Sequence, residues 1–244
     1  MSRYRASGIH LAISASLGIL LFLLFWFVWY PSPLFRAVGG QEIFSLLLAI
    51  DVVLGPLLTF VVFRAEKKSL RFDLAVIAAV QASAMAYGVH TLLAGRPVYV
   101  AALGHRFDVI QASEIEDAEL RTSGKNLPWF GPEWVGTKLA ENAYDKERIF
   151  FSAALGMDYG HYPQYHQPLE TMRDEILKKA KSLDELRKLN SGRAREIDQW
   201  LVARRLESKQ VVFQGLRARN QDMAVMLSAS TATVIGVAPF KPWP

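Results

Sequence analysis

The stretch Asp51-Val-Val-Leu-Gly-Pro-Leu-Leu-Thr-Phe60 lies inside an apolar run from Ile43 to Phe63. A run of this length predicts a helix that crosses a bilayer, because about 20 residues at 1.5 Å each span the hydrocarbon core. Asp51 is the only ionisable residue in the run, and a carboxyl at that depth costs about 3 kcal/mol to insert. We therefore expect Asp51 to face protein or water and to mark a functional site.

A helix break follows four residues after this acid, at Gly55-Pro56. Proline has no N–H to donate, so the backbone hydrogen-bond ladder opens and frees carbonyl groups that neighbouring helices must satisfy. An acid beside a helix break is interpreted as a place where another helix docks. The alternative is a structural acid, hydrogen-bonded within the protein's own helix bundle, and Gln81 in the next apolar run is its candidate partner.

Apolar runs also precede and follow this one, so we predict three transmembrane helices, over residues 9–30, 43–63 and 74–94. The first run is longer than the apolar core of a signal peptide, and we expect it to remain uncleaved. It ends in Trp26, Trp29 and Tyr30, aromatic residues that prefer the headgroup region. The third run is rich in alanine. We interpret its small-residue face mainly as packing inside the bundle, a role compatible with partner binding.

Composition divides the chain into two parts. The 244 residues are 51% hydrophobic, carry a net charge of +5 and include no cysteine. Most ionisable side chains lie after Gly95, so we predict a transmembrane domain over 1–95 and a soluble domain over 96–244. The absence of cysteine excludes disulfides and thiol chemistry. The excess positive charge belongs mostly to the membrane part, and we expect no nucleic-acid partner.

Charges in the loops predict the orientation. Arg3 and Arg5 precede the first span, and four basic residues lie in the loop Arg64–Arg71, whereas the first loop has only Arg36. Basic loops stay in the cytoplasm. We therefore expect a cytoplasmic N-terminus, and a soluble domain on the other side of the membrane.

The soluble domain is predicted to be α+β, with helices packed against an antiparallel sheet. Alternation and turn signals predict strands over 98–103, 107–112, 211–216, 223–227 and 231–237. Helical spacing predicts helices over 140–155, from 169 to a break at 190–192, and over 194–206. Pro- and Gly-containing loops are expected over 126–134 and 156–168.

Catalytic motifs are missing from the sequence. His161 and His166 lie in the loop 156–168 with Asp158 nearby, but this set is incomplete for a zinc site, which needs three or four protein ligands. We find no nucleophile elbow, P-loop or HExxH motif. We therefore predict no catalytic residues, no metal site and no cofactor.

Several motifs resemble one known family. They are Ser2-Arg-Tyr-Arg-Ala-Ser-Gly-Ile-His-Leu11, Trp29-Tyr-Pro-Ser-Pro-Leu-Phe35, Asp51-Val-Val-Leu-Gly-Pro-Leu-Leu-Thr59, Asp73-Leu-Ala-Val-Ile77, Tyr87-Gly88, Arg96-Pro-Val98 and Arg106-Phe107. In these the chain resembles the TfpX/TfpZ family of type IV pilin accessory proteins. The resemblance is dense over the first 110 residues and weaker afterwards, apart from the Pro-Trp ending.

The resemblance implies a protein of the bacterial inner membrane that acts on the major type IV pilin before assembly and has no catalytic role. Its spans would shelter the pilin's membrane helix and its periplasmic domain would meet the pilin head. The family supplies no binding residues, so Asp51, Gly55, Pro56 and Gln81 are our own candidates for the pilin-helix contact. Two alternatives remain: a membrane-anchored enzyme acting on pilin or cell-surface glycan through loop 156–168, and a sensor with a periplasmic input domain.

Overall fold

The structure, a computed structural model, describes residues 2–244. Three long apolar helices come first: α1 (Arg3–Trp29), α2 (Gly40–Val62) and α3 (Leu70–Ala94), each long and apolar enough to cross a membrane. The side chain of Ser2 caps α1 by accepting a hydrogen bond from the backbone N–H of Arg5. A turn over Pro31–Gly39, which includes the helical segment Leu34–Ala37, connects α1 to α2. Helix α2 packs against both α1 and α3.

A β-sheet domain with helices follows. Its elements are β1 (Pro97–Ala102), β2 (Phe107–Gln111), α4 (Asp117–Ser123), β3 (Glu133–Thr137), α5 (Ala143–Ala154), β4 (His166–Pro168), α6 (Arg173–Lys179), β5 (Lys181–Ser182), α7 (Leu183–Leu189), α8 (Ala194–Val202), β6 (Val211–Arg217), β7 (Met223–Ser228) and β8 (Val234–Ala238). The α+β prediction is confirmed, including the helix break at residues 190–192, but the segment predicted to be helical from residue 169 is divided by β5.

The sheet is mixed, so the prediction of an antiparallel sheet was wrong at two pairings. Strand order is β4-β3-β1-β2-β6-β7-β8, with β5 beside β6. Strands β1 and β3 run parallel, as do β2 and β6, and the other neighbours are antiparallel. The short β4 lies in the predicted loop 156–168, and β3 begins at the end of the predicted loop 126–134 and continues into residues for which no element was predicted. Each is only a few residues long, and prolines at 128 and 132 directly precede β3.

One core joins the ends of the long helices to a face of the sheet. Phe25, Trp29, Tyr30 and Leu92 are buried in the same cluster as strand residues such as Phe107. The prediction that Trp29 and Tyr30 lie among lipid headgroups was therefore wrong. The Tyr30 hydroxyl donates a hydrogen bond to the Leu92 carbonyl oxygen. The sheet sits directly on the helix ends.

Candidate functional site

Helix α2 changes from α-helical to π-helical geometry in the segment that contains Asp51. Residues Ala49–Leu54 form a π-helical segment between two α-helical ones, and Gly55-Pro56 starts the second of these. Such segments accompany prolines because the missing N–H interrupts the regular ladder. Asp51 lies at the midpoint of α2 and is 4% exposed. The wide segment therefore places a carboxyl inside the helix bundle, halfway along a possible membrane span.

Gln81 of α3 contacts this carboxyl, as the sequence suggested. Its Nε2 donates to the Asp51 Oδ1 at 3.3 Å and to the Asp51 backbone oxygen at 3.2 Å. A Cβ atom at Gly55 would lie 2.1 Å from Gln81 Nε2, so the glycine lets the amide approach. The structure thus brings Asp51, Gly55 and Gln81 together, with Pro56 beginning the next turn.

Helix α1 adds polar residues that the sequence analysis missed. The Ser7 hydroxyl donates to the Pro56 carbonyl oxygen at 2.8 Å. His10 Nδ1 lies 2.6 Å from the Thr59 hydroxyl. Thr59 lies one helical turn after Gly55 on α2, and His10 lies three residues after Ser7 on α1. Residues at these spacings lie on the same face of a helix, so the sequence did carry a signal for both pairs. These residues and the Asp51–Gln81 pair form a polar seam through all three helices.

The Asp51–Gln81 pair leaves two polar atoms without a partner. Within residues 2–244, no group hydrogen-bonds the Asp51 Oδ2 or the Gln81 Oε1, and both atoms are buried. Buried polar atoms normally find partners, and each exception calls for an explanation.

A groove of about 500 Å³ opens between α1 and α3 at this point. Asp51 and Gln81 line it together with His10, and its other walls are small or apolar side chains such as Ala78, Ala82 and Met85. The groove is therefore mostly apolar and is also lined by Asp51 and Gln81, whose Oδ2 and Oε1 atoms are buried beneath its surface.

The alanine-rich face of α3 is largely uncovered. Ala78, Ala82 and Ala86 are exposed, and only Gly88 and Leu92 of this helix are buried. The prediction that this face packs mainly inside the bundle was wrong, because α2 contacts only a narrow stripe of α3. Small residues allow close approach of another helix backbone. The exposed stripe is continuous with the groove.

The two histidines of loop 156–168 form hydrogen bonds within the protein. His166 Nε2 lies 2.8 Å from the Gly160 carbonyl oxygen, to which it donates, and its ring packs edge-on against Tyr99. Burial lowers the pKa of His166 to about 4, and burial also lowers the pKa of His161. His161 Nδ1 lies 3.2 Å from the backbone nitrogen of Asp158. In residues 2–244 no three His, Asp or Glu side chains are arranged to hold a metal ion.

Two tyrosines of this loop, Tyr162 and Tyr165, also form hydrogen bonds within the protein. The Tyr165 hydroxyl donates to Asp145 Oδ2 at 2.7 Å. Burial, followed by the bond to Asp145, raises the pKa of Tyr165 to about 12. The Tyr162 hydroxyl donates to the Ser152 hydroxyl at 2.8 Å. The loop is thus tied to helix α5 through its polar groups.

Comparison with known proteins places these features in a family. A fimbrial assembly protein of serogroup I from Dichelobacter nodosus is 30% identical over 229 residues, which cover 91% of this chain and 89% of the relative. The chain belongs to the family of fimbrial assembly proteins. The serogroup E1 protein of the same organism is 29% identical with the same coverage, and the protein of serogroups C1 and C2 is 40% identical over 98 residues.

The first 39 residues also match the family described as fimbrial assembly protein FimB. This segment of the chain contains helix α1, including Ser7 and His10, and the turn before α2. The relatives of serogroups I and E1 cover both the helices and the sheet domain. No solved structure matches the chain.

Proposed function

We propose that this fimbrial assembly protein is an inner-membrane accessory protein that binds a type IV pilin before or during pilus assembly. The proposal extends the family assignment to a specific partner, as the resemblance to TfpX/TfpZ accessory proteins implies. The observation that carries it is the groove between α1 and α3, where the Asp51 Oδ2 is buried without a donor. We further propose that the protein acts as a chaperone and not as an enzyme.

The pilin's membrane helix suits this groove. The wall is mostly apolar, and the exposed alanines of α3 allow a second backbone to approach. A mature type IV pilin, as the resemblance implies, begins with an ammonium group and carries a glutamate at its fifth position, in or near the bilayer. An ammonium in lipid needs an acceptor, because the hydrocarbon offers none. Asp51, which lines the groove, would supply one.

The loops favour one topology for this complex. Basic residues precede α1 and lie in the loop between α2 and α3, and this supports a cytoplasmic location for both segments. The sheet domain would then stand in the periplasm, on the side where pilin heads are displayed. Its direct contact with the helix ends gives it a fixed position from which to meet a pilin held in the groove.

The test is capture of pilin by the detergent-solubilised full chain. Replacing Asp51 by Asn keeps the side-chain volume and the acceptor for Gln81 but removes the second acceptor oxygen and any charge. We expect Asp51→Asn to accumulate like the wild type, to capture several-fold less pilin and to support fewer pili. Asp73→Asn is the matched control, since Asp73 lies near the start of α3, outside the groove, and pairs with Lys67.

If Asp51→Asn accumulates to the wild-type level and still captures as much pilin as the wild type, the proposed pairing of Asp51 with the pilin ammonium is overturned. The structural alternative makes a different prediction: Asp51→Asn is then near silent, and Asp51→Leu lowers protein abundance.

A second pair of variants tests the groove itself. Ala82→Phe fills it, whereas Ala79→Phe adds the same ring to an exposed position of α3 outside it. Only Ala82→Phe should reduce capture.

A further inference from the structure

The loop before β3 carries two neighbouring aromatic side chains that are mostly exposed. Trp129 is 62% exposed and Phe130 is 81% exposed. Gly131 follows with φ of +53°, a conformation that glycine adopts readily, and this turn ends the aromatic pair. Large aromatic side chains are costly to leave in water, so a partner surface is expected here.

The loop is fixed to the end of helix α1. The backbone N–H of Gly131 donates to the Val28 carbonyl oxygen at 2.7 Å. Val28 is the second-last residue of α1, and its neighbour Phe27 is 74% exposed on the outside of the helix. The loop therefore lies at the level where α1 would leave the hydrocarbon core.

Arg96 fixes the same loop to the end of α3. Its guanidinium donates to the Leu93 carbonyl oxygen at 2.8 Å and to the Pro128 carbonyl oxygen at 3.4 Å. The guanidinium carbon also lies 5.5 Å from the centre of the Trp129 ring. Residues 128–131 are thus attached at the domain-side ends of two long helices.

We infer that Trp129 and Phe130 insert into the bilayer leaflet that faces the sheet domain. Tryptophan prefers the interface between headgroups and acyl chains, and arginine can keep its charge at that level while its stem lies against apolar groups. The loop gives the sheet domain its own contact with lipid, which would restrain its tilt relative to the helices. This inference rests on the membrane placement in the proposed function and is independent of pilin binding.

The absence of cysteine makes the test direct, since a single introduced cysteine is the only labelling site. The full chain is reconstituted in phosphatidylethanolamine–phosphatidylglycerol vesicles without pilin, with a nitroxide on Phe130→Cys. Collision with oxygen, which concentrates in lipid, is compared with collision with a water-soluble nickel chelate. We expect the label at position 130 to be several-fold less accessible to the chelate than a label on Leu139→Cys.

Leu139 is a matched control because it is 73% exposed and follows the opposite end of β3. Leu20→Cys, an exposed position in the middle of α1, reports the lipid environment directly. Chelate accessibility at 130 equal to that at 139, with Leu20 protected, would overturn the loop inference alone. If the chelate reaches labels at both position 130 and position 20, the membrane placement is overturned, and the loop inference is overturned with it.

Discussion

Gly55 and Gln81 meet where α2 and α3 pack, so closely that a Cβ atom at position 55 would lie 2.1 Å from Gln81 Nε2. The amide uses this space to reach both the carboxyl and the backbone oxygen of Asp51. The glycine is therefore part of the site even though it has no functional group. It sets how near the third helix can come to the acid.

Gly55→Ala should displace Gln81 and weaken its hydrogen bonds to Asp51. We expect a loss of about 0.5–1.5 kcal/mol in stability, because the flexible amide can move away but its hydrogen bonding to Asp51 is lost; thermal unfolding of the detergent-solubilised chain measures it. Gly8→Ala is the control, because a Cβ there meets nothing within 4 Å. Combining Gly55→Ala with Gln81→Ala should cost less than the sum of the two single changes. Simple additivity would show that the two positions do not interact.

Reporter fusions test the predicted orientation. A reporter that is active only in the periplasm should be active when fused after Gly95 and silent when fused within residues 64–71. The physical reason is the excess of arginine and lysine before α1 and between α2 and α3. The reverse pattern would remove the periplasmic placement of the sheet domain, and with it the proposed encounter with pilin heads.

The sequence predicted the three long helices well because hydropathy over some 20 residues is a local property. Gln81 was the candidate partner of Asp51 in the structural alternative, since a polar group inside an apolar run needs a polar partner, and the structure shows this contact. The sequence did not reveal the roles of Ser7, His10 and Thr59. A single serine, histidine or threonine in a helix gives no signal of its own. Which groups these side chains contact depends on how the helices are rotated about their axes.

The sheet was harder to predict for a related reason. The parallel pairing of β2 with β6 joins segments about a hundred residues apart, and no local signal records it. Strand β3 follows a Pro- and Gly-rich loop, which masked its alternation. The burial of Trp29 and Tyr30 likewise depends on a sheet formed later in the chain. Local patterns could not show that the helix ends are covered by protein.

Asp108 offers a test of the buried charges in the sheet domain. Its side chain is 2% exposed and accepts from Arg106 Nε at 2.8 Å and from Arg217 Nη2 at 2.5 Å. Asp108→Asn leaves two partly exposed arginines without their shared carboxylate, and we expect a loss of about 1–3 kcal/mol in unfolding free energy. Chemical denaturation followed by tryptophan fluorescence measures it.

Asp198→Asn is the control for this substitution. Asp198 also pairs with an arginine, Arg187, at 2.8 Å, but its side chain is 56% exposed. Solvent screens such a pair, and its removal should cost no more than about 1 kcal/mol. Equal losses for the two variants would contradict the importance of burial at Asp108.

His166 should make the stability of the domain depend on pH. Its Nε2 donates to the Gly160 oxygen, while its Nδ1 is buried and has no hydrogen-bond partner in the described chain. Protonation would place a charge on that atom, so burial lowers the pKa of His166 from 6.5 to about 4. The unfolded chain then binds a proton more readily than the folded one as the pH falls from about 6.5 to about 4. Over this range about 3 kcal/mol of unfolding free energy is lost.

His166→Gln isolates this contribution. The glutamine amide can donate to the Gly160 oxygen in place of Nε2, but it has no proton to gain. Unfolding at pH 7.5, 6 and 5 should show a shallower loss of stability for His166→Gln than for the wild type. His105→Gln, at an exposed histidine in the turn between β1 and β2, should keep the wild-type slope. His161, whose pKa burial also lowers, retains part of the dependence in the His166 variant. An unchanged slope in His166→Gln would mean that position 166 does not control the acid sensitivity of the domain.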